Sequence, residues 1–537
     1  MNGPLPRPRQ FAGQPAAPGV ALGRIIELQI DGAKERSSGA RPAAQIDEAI
    51  AEAVRQLHEL MARAMPEARK ILEFQVEFLG DPVLLEPAQE ALARGADFEA
   101  AWCAAIDAQI ADFESSSDDY FRHRTADLRD MRSRVLAALG GGDLAPLHLP
   151  AGAILLADDL EPSRFLATQW RSDHAIVLRG GSPTAHVALL ARAHRVPMVV
   201  GVGEISVSGA CTALVDGSRG MLVLEPDAEQ VAQFASTRAQ LEADHAHAAA
   251  AAARPALTAN GERVNVLLNI ASLEELDAID PAICDGVGLV RTELLFAHGP
   301  SDEETQLRFY QRILQWAHGR PVIVRTLDAG GDKPMRGITI DGETNPFLGV
   351  RGVRLSLAAP DVFKVQLRAL LRAALAGNLR IMLPMITAAE EVERVRALLD
   401  EAAAELAARG VSFARPPLGI MVEVPAAALA LDTFDIDFAS IGSNDLLQYT
   451  MAAARDNAAV TALSNPRHPG FVVLLQAIVR AAAQRNVSLS LCGDLAAQPQ
   501  HVDLLLAAGL RSLSMPAAAV GPVKSAIAAW SPAAHGG

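Results

Sequence analysis

The chain lacks an apolar run long enough to cross a membrane, which excludes a helical membrane-spanning architecture. Cysteine is scarce. Cys103, Cys211, Cys284 and Cys492 are scattered without paired spacing, so neither a disulfide framework nor a zinc site is indicated. Positive charge is short as well. A net charge of −15 argues against nucleic acid as a partner. The first ten residues hold basic side chains with no apolar segment behind them, so they do not read as a signal peptide, and the expected compartment is the cytoplasm. What is present is length and apolar content: 537 residues, half of them hydrophobic, enough for several domains with sizeable cores.

Residues 13–30 read as a turn followed by a strand. From about 42 to 140 the pattern turns helical, with apolar residues at three- and four-residue spacing. The candidate helices are 47–65, 67–79, 84–93, 98–113 and 118–139, and Gly140-Gly-Gly142 ends the block. Mixed strands and helices return over 150–225, so an all-helical insertion interrupts one α/β domain whose first strand precedes it. Residues 227–253 form one polar-to-alanine helix, read as a linker. Eight strand candidates then alternate with helices: 264–270, 286–290, 322–326, 379–384, 419–424, 438–442, 488–492 and 512–515. That count and spacing suit a (β/α)8 barrel, with a doubly wound open sheet as the alternative.

Two places collect chemistry. In Gly181-Ser-Pro-Thr-Ala-His186, a Gly- and Pro-punctuated turn after a short apolar strand delivers one imidazole to the first turn of a helix. Unpaired N–H groups and the helix dipole would stabilise a phosphate carried there. A capping or surface histidine is the plainer alternative. In a barrel the reactive groups lie at the C-terminal strand ends. Those ends carry Arg291 and Glu293, Arg325 and Asp328, Glu423, Asn444 and Asp445, and Cys492; Asp332, Lys333, Arg351 and Arg455 follow nearby. The arginines suit a small anion bearing phosphate and carboxylate. Glu423 and Asp445 offer hard oxygens for Mg²⁺. Cys492 is either a proton donor or a small buried hydrophobe. Arg354 and Arg368 read as structural or helix-surface arginines.

These residues resemble the phosphoenolpyruvate-utilising enzymes. The His186 run with Ala191-Arg192 is similar to the family's phosphohistidine signature, and Ser440-Ile-Gly-Ser-Asn-Asp-Leu-Leu-Gln-Tyr-Thr450 closing on Arg455 to its second. Gly286-Val-Gly-Leu-Val-Arg-Thr-Glu293, Val324-Arg-Thr-Leu-Asp328, Asn345-Pro-Phe-Leu-Gly-Val-Arg351, Met421-Val-Glu-Val-Pro-Ala426 and Leu491-Cys-Gly-Asp494 follow in the family's order. The resemblance spans nearly the whole chain and is strongest to the enzyme I branch of the phosphoenolpyruvate:sugar phosphotransferase system.

That resemblance implies a phosphohistidine α/β domain (1–35 and 145–226), a helical insertion (36–144) binding the carrier HPr, a linker helix (227–255) and a phosphoenolpyruvate-binding (β/α)8 barrel (256–537). It implies His186 as the nucleophile and Cys492 as the proton donor. Substrate would be bound by Arg291, Arg325, Arg351, Asn444, Arg455 and Lys333, with Mg²⁺ on Glu423 and Asp445. It further implies a cytoplasmic homodimer joined through the barrel. Departures from the family pattern are Ser182, Val187, the Gly330–Arg336 stretch, and Phe74-Gln-Val76 where a histidine is common. Three other readings are weighed: an ATP-linked relative, disfavoured because no Gly-rich nucleotide loop precedes His186; a nitrogen-regulatory enzyme I; and a catalytically silent phosphoenolpyruvate sensor.

Overall fold

The computed structural model describes residues 8–28, 44–61, 66–115, 119–139, 146–183, 185–207, 211–296, 299–331, 335, 338–339, 343–454 and 460–532. It divides into two compact units, Met1–Glu242 and Ala243–Gly537.

The first unit opens with β1 (Arg9–Ala12), β2 (Gln14–Ala17) and β3 (Val20–Glu27). Five helices follow: α1 (Ala44–Met61), α2 (Pro66–Leu79), α3 (Pro82–Ala93), α4 (Phe98–Ser115) and α5 (Asp119–Leu139). They enclose Leu57, Leu72, Trp102, Leu128 and Val135, all fully buried on the apolar stripes that the spacing predicts. The chain then returns as β4 (Ala153–Ala157), α6 (Pro162–Ala167), β5 (Ala175–Leu178), α7 (His186–Ala193), β6 (Met198–Val200), β7 (Thr212–Asp216) and β8 (Met221–Leu224).

The eight strands make one mixed sheet in the order β1-β8-β7-β3-β4-β5-β6-β2. Its two faces bury alternate residues: Leu155, Ala157, Ile176 and Leu178 on one side, Ile154, Leu156, Ala175 and Val177 on the other. Residues 13–30 read as a turn followed by a strand in sequence, yet two strands, β2 and β3, form there, and β1 precedes them. Gly13 is the reason. It alone joins β1 to β2, which close opposite ends of the strand order, so the sheet must curl until both edges reach it. A Cβ at Gly13 would lie 2.5 Å from the Val200 carbonyl oxygen, so only glycine fits.

α8 (Ala228–Ala252) is one continuous helix, exposed along most of its length. Near its start Phe234 packs on Leu214 and Val223. At its C-terminal end the buried Lys524 Nζ donates to the carbonyls of Ala252 and Arg254 at 2.8 Å and of Ile283 at 2.7 Å. A cation placed on the last carbonyls of a helix also suits its dipole.

The second unit is a closed barrel of eight parallel strands: β9 (Asn265–Ile270), β10 (Gly286–Val290), β11 (Val322–Arg325), β12 (Leu379–Leu383), β13 (Leu418–Val422), β14 (Phe438–Gly442), β15 (Ser488–Cys492) and β16 (Ser512–Met515), with β16 pairing back onto β9. All eight strands expected from the sequence form, and the open-sheet alternative is excluded. Between them run α9 (Glu274–Asp277), α10 (Glu303–Ala317), α11 (Val353–Ala358), α12 (Pro360–Ala373), α13 (Ala389–Ala408), α14 (Pro425–Leu429), α15 (Ser443–Met451), α16 (Pro469–Gln484) and α17 (Val502–Ala507), and α18 (Ala517–Ala529) follows β16. Continuous apolar strands such as Leu418–Val422, buried at every residue, are what a parallel sheet covered on both faces requires.

Candidate functional site

His186 is the first residue of α7. Its N-cap, Ala185, makes no side-chain cap to the first-turn N–H groups. Arg192, one and a half turns on, holds the preceding turn in place by donating to the carbonyls of Ala16 (2.6 Å) and Pro183 (2.9 Å). The imidazole is 16% exposed, and its Nδ1 lies 3.1 Å from Oδ1 and 3.0 Å from Oδ2 of Asp127 on α5. Asp127 is fully buried and also takes a hydrogen bond from Arg124 at 3.2 Å. The Arg124 guanidinium in turn lies 4.2 Å above the ring of Phe74, in the Phe74-Gln-Val76 stretch of α2. Of the departures noted above, Val187 is buried in the core between α7 and the sheet, while Ser182 stays partly exposed in the turn.

One turn further along α5 lies a second, different acid. Asp130 is fully buried and accepts from Gln75 Nε2 (3.0 Å), from the Ser163 backbone N–H (2.8 Å) and from the Ser163 hydroxyl. Arg134 completes the network by donating to Gln56 (3.1 Å) and Ser163 (2.6 Å). Burial pushes the Asp130 carboxyl up, and Arg134 and these hydrogen bonds oppose it. The network ties α5 to α6 and so fixes where Asp127 meets the histidine. Sequence reading missed both acids. The available signal was an acid pair at i, i+3 on the same buried stripe as Leu128, Met131 and Val135.

In the barrel, the described strand-end residues converge. Arg325 ends β11; it is buried, pairs with Glu293, and lies 3.1 Å from Asp328. Arg351 is fully buried, 3.3 Å from Asp328 and 3.5 Å from Asp445, so Asp328 bridges the two guanidiniums. A Cβ at Gly330 would lie 2.7 Å from the Arg351 Cβ, and its φ of +100° is one that L side chains rarely adopt. That glycine lets the Arg351 segment close on β11. Tyr449 of α15 donates to the Phe347 carbonyl (2.6 Å) and accepts from Arg351 (3.3 Å). Arg291 is exposed at the end of β10. Asn444 Nδ2 donates to Asp494 at 3.1 Å. Lys333, Asp332 and Arg455 lie outside the described residues, as does Gly140-Gly-Gly142. Arg354 instead braces the loop, donating to the carbonyls of Leu348 and Gly349 and to Thr387. Arg368 pairs with Glu303 and Glu405 on neighbouring helices.

Glu423, just after β13, is buried and accepts from the Met385 N–H at 2.6 Å. Burial, with Asp328 and Asp445 alongside, pushes its carboxyl up to about 8. Four carboxylates (Glu293, Asp328, Glu423, Asp445) act here on two guanidiniums, which both stay charged. That surplus of acids over guanidiniums and the hard oxygen donors fit a divalent ion. Among the described residues no group of three metal-ligating side chains is drawn together. Two carboxylates with substrate oxygens completing the shell is, however, the usual Mg²⁺ arrangement. Cys492 ends β15, is sealed among Leu289, Ile323, Met382, Met421 and Phe438, and has its thiol pushed up by burial. It remains a protonated thiol at neutral pH.

Three family models match the chain: "PEP-utilising enzyme, PEP-binding domain" over 245–531, "PEP-utilising enzyme, N-terminal" over 12–124 and "PEP-utilising enzyme, mobile domain" over 149–220. The chain is 35% identical to a phosphoenolpyruvate-protein phosphotransferase of Geobacillus stearothermophilus, covering 97% of this chain and 93% of the relative. It is 34% identical to one of Bacillus sp. (strain S) over the same shares, and 38% identical to one of Haloferax volcanii over 87% and 83%. No described helix is long and apolar enough to cross a membrane.

Proposed function

Since the chain belongs to the PEP-utilising enzymes and is a phosphotransferase of that family, we propose that His186 takes the phosphoryl group of phosphoenolpyruvate and passes it to a histidine of the carrier HPr. The supporting observation is the held imidazole. With Nδ1 on Asp127, the proton sits on that nitrogen and the other, Nε2, keeps the lone pair that attacks phosphorus. The uncapped first turn of α7 and Arg124 then stabilise the charge that His186 acquires.

In the barrel, Arg291, Arg325 and Arg351 bind the phosphate and carboxylate of the substrate, with Asn444, Lys333 and Arg455 completing the set. Pairing with Asp328 keeps the forks of Arg325 and Arg351 oriented before substrate arrives. Glu423 and Asp445 would hold Mg²⁺, which supplies Lewis-acid polarisation of the phosphoryl oxygens. The leaving group is pyruvate enolate, and Cys492 gives its thiol proton to the enolate methylene carbon. Phosphoryl transfer of this kind rests on positioning and electrostatics, which the buried guanidiniums provide.

HPr docking on the helical insertion 36–144, a start to sugar uptake, a homodimer through the barrel and a cytoplasmic location complete the reading. The test is incubation of the purified protein with phosphoenolpyruvate and Mg²⁺, followed by mapping of acid-labile phosphate. Label on His186 with pyruvate released and no ATP is the expected result. An absence of label without ATP would overturn it in favour of an ATP-linked or silent relative.

A further inference from the structure

The inside of a parallel barrel is ordinarily filled by layers of bulky branched side chains. Here one sector of it is small and polar. Ser440 on β14 and Ser490 on β15 point inward, and a Cβ at Gly288 on β10 would lie 2.5 Å from the hydroxyl of Ser514 on β16. Beneath them, among the N-terminal ends of the strands, lies a cavity of about 310 Å³. Its walls are largely apolar but include Asn265, Asp285, Arg380, Ser488, Ser490 and Ser512, and it has room for several waters.

From that cavity a hydrogen-bonded line runs up to the reactive end. The Ser490 hydroxyl donates to the Ser440 hydroxyl at 3.0 Å, and the Ser440 hydroxyl donates to Cys492 Sγ at 3.5 Å. The thiol donates to the Ile441 carbonyl at 3.5 Å. Ser440 and Cys492 are at most 1% exposed and Ser490 6%, so the line is shut off from solvent except through the cavity wall. Arg380 stands at that wall with its guanidinium 5.8 Å from the Phe438 ring centroid. Its Nε is buried and finds no protein acceptor. The other charged groups facing the thiol are Arg325, Glu423 and Arg291.

We propose that the N-terminal mouth of the barrel is a proton port that reloads Cys492 from below through Ser490 and Ser440. The proposal rests on the reading of Cys492 as the acid. When the S–H bond breaks and the C–H bond of pyruvate forms, a thiolate is left. Ser440 gives that thiolate its hydroxyl proton and takes one from Ser490, which takes one from a cavity water. The hydroxide produced lies beside the Arg380 guanidinium and is neutralised by buffer. One solvent proton enters pyruvate per turnover, and it arrives on the side away from substrate.

The experiment uses the full chain in two readouts. The first follows exchange of the Cys492 S–H stretch into D₂O by rapid infrared spectroscopy, with no substrate present. Ser440→Ala should slow this exchange by about tenfold or more, and Ser440→Thr, which keeps the hydroxyl, should restore it. The second compares the first turnover of pyruvate formation with the steady state. The first should stay normal in Ser440→Ala, because the thiol starts protonated, and later turnovers should slow. Unchanged S–H exchange in Ser440→Ala overturns the port. Slowed exchange with a normal steady state supports the path and overturns Cys492 as the acid, so the two failures are separable. Should Ser440→Ala not fold, Ser490→Val blocks the same path at the cavity wall and must give the same result.

Discussion

His186 keeps 16% of its side chain open and leans on a single carboxylate, whereas Arg351, Glu423 and Cys492 in the barrel are at most 1% exposed and act on one another. The first arrangement suits a group that must meet two partners in turn, since every further contact would have to be broken on each transfer. The second suits a group that must hold still while charge moves past it, because fixed dipoles and charges in a low dielectric cost no reorganisation at the moment of reaction. Within the first unit the same contrast recurs one helical turn apart. Asp127 contacts the partly exposed histidine, and Asp130 is locked into a network that only positions the helix.

Removing the histidine is the severest way to test that the two centres are separable. His186→Ala should abolish pyruvate formation, while phosphoenolpyruvate binding in the presence of Mg²⁺, measured by calorimetry, stays intact. Loss of binding together with transfer would mean that substrate recognition is not a property of the barrel alone. Next in size is Asp127→Asn. A hydrogen bond to a charged group contributes about 1.5–3 kcal/mol, so transfer should fall roughly 10–100-fold. Thermal stability should hold, because Asp130 still anchors α5. A large drop in melting temperature would make Asp127 a structural acid like its neighbour.

The barrel was legible because each strand is a short apolar run between helical spacers, and because its candidate site residues sit at strand ends that sequence order alone can locate. Its interior was less so. Ser488, Ser490 and Cys492 alternate with Leu489 and Leu491, yet both faces of a barrel strand are buried, so alternation does not say which set faces in. The site at His186 was half legible. The turn and helix that present it are local, but its partner Asp127 is 59 residues away, in a block whose helical period carries no information about what it will meet. Gly13 hid in the same manner, since the need for a missing Cβ arises only when two distant sheet edges meet there.

A third test sharpens the barrel side of the comparison through pH. An acid whose carboxyl is pushed up to about 8 is protonated below that pH in the metal-free protein. Mg²⁺ binding must then expel the proton, so affinity should rise with pH, by about tenfold per unit, and level off above about 8. Calorimetry in buffers of different ionisation enthalpy should count one proton released at pH 7. Glu423→Gln should remove both the slope and most of the affinity. A flat profile in the unmodified protein would mean that Glu423 does not hold the ion.

The smallest expected effect bears on Phe74 of α2. Its ring faces Arg124, which is largely buried and shares Asp127 with His186. A cation–π contact at a partly exposed site contributes about 0.5–1 kcal/mol, so Phe74→Leu should slow transfer roughly two- to fivefold. The step that slows is the informative part. If Phe74 acts through Arg124 and Asp127 on the orientation of the imidazole, the pyruvate burst and the onward transfer to carrier should fall by the same factor, since one histidine serves both. If only carrier phosphorylation falls, Phe74 belongs to the docking surface instead. The first outcome is expected, because a ring held against a guanidinium presents only an edge to a visiting protein.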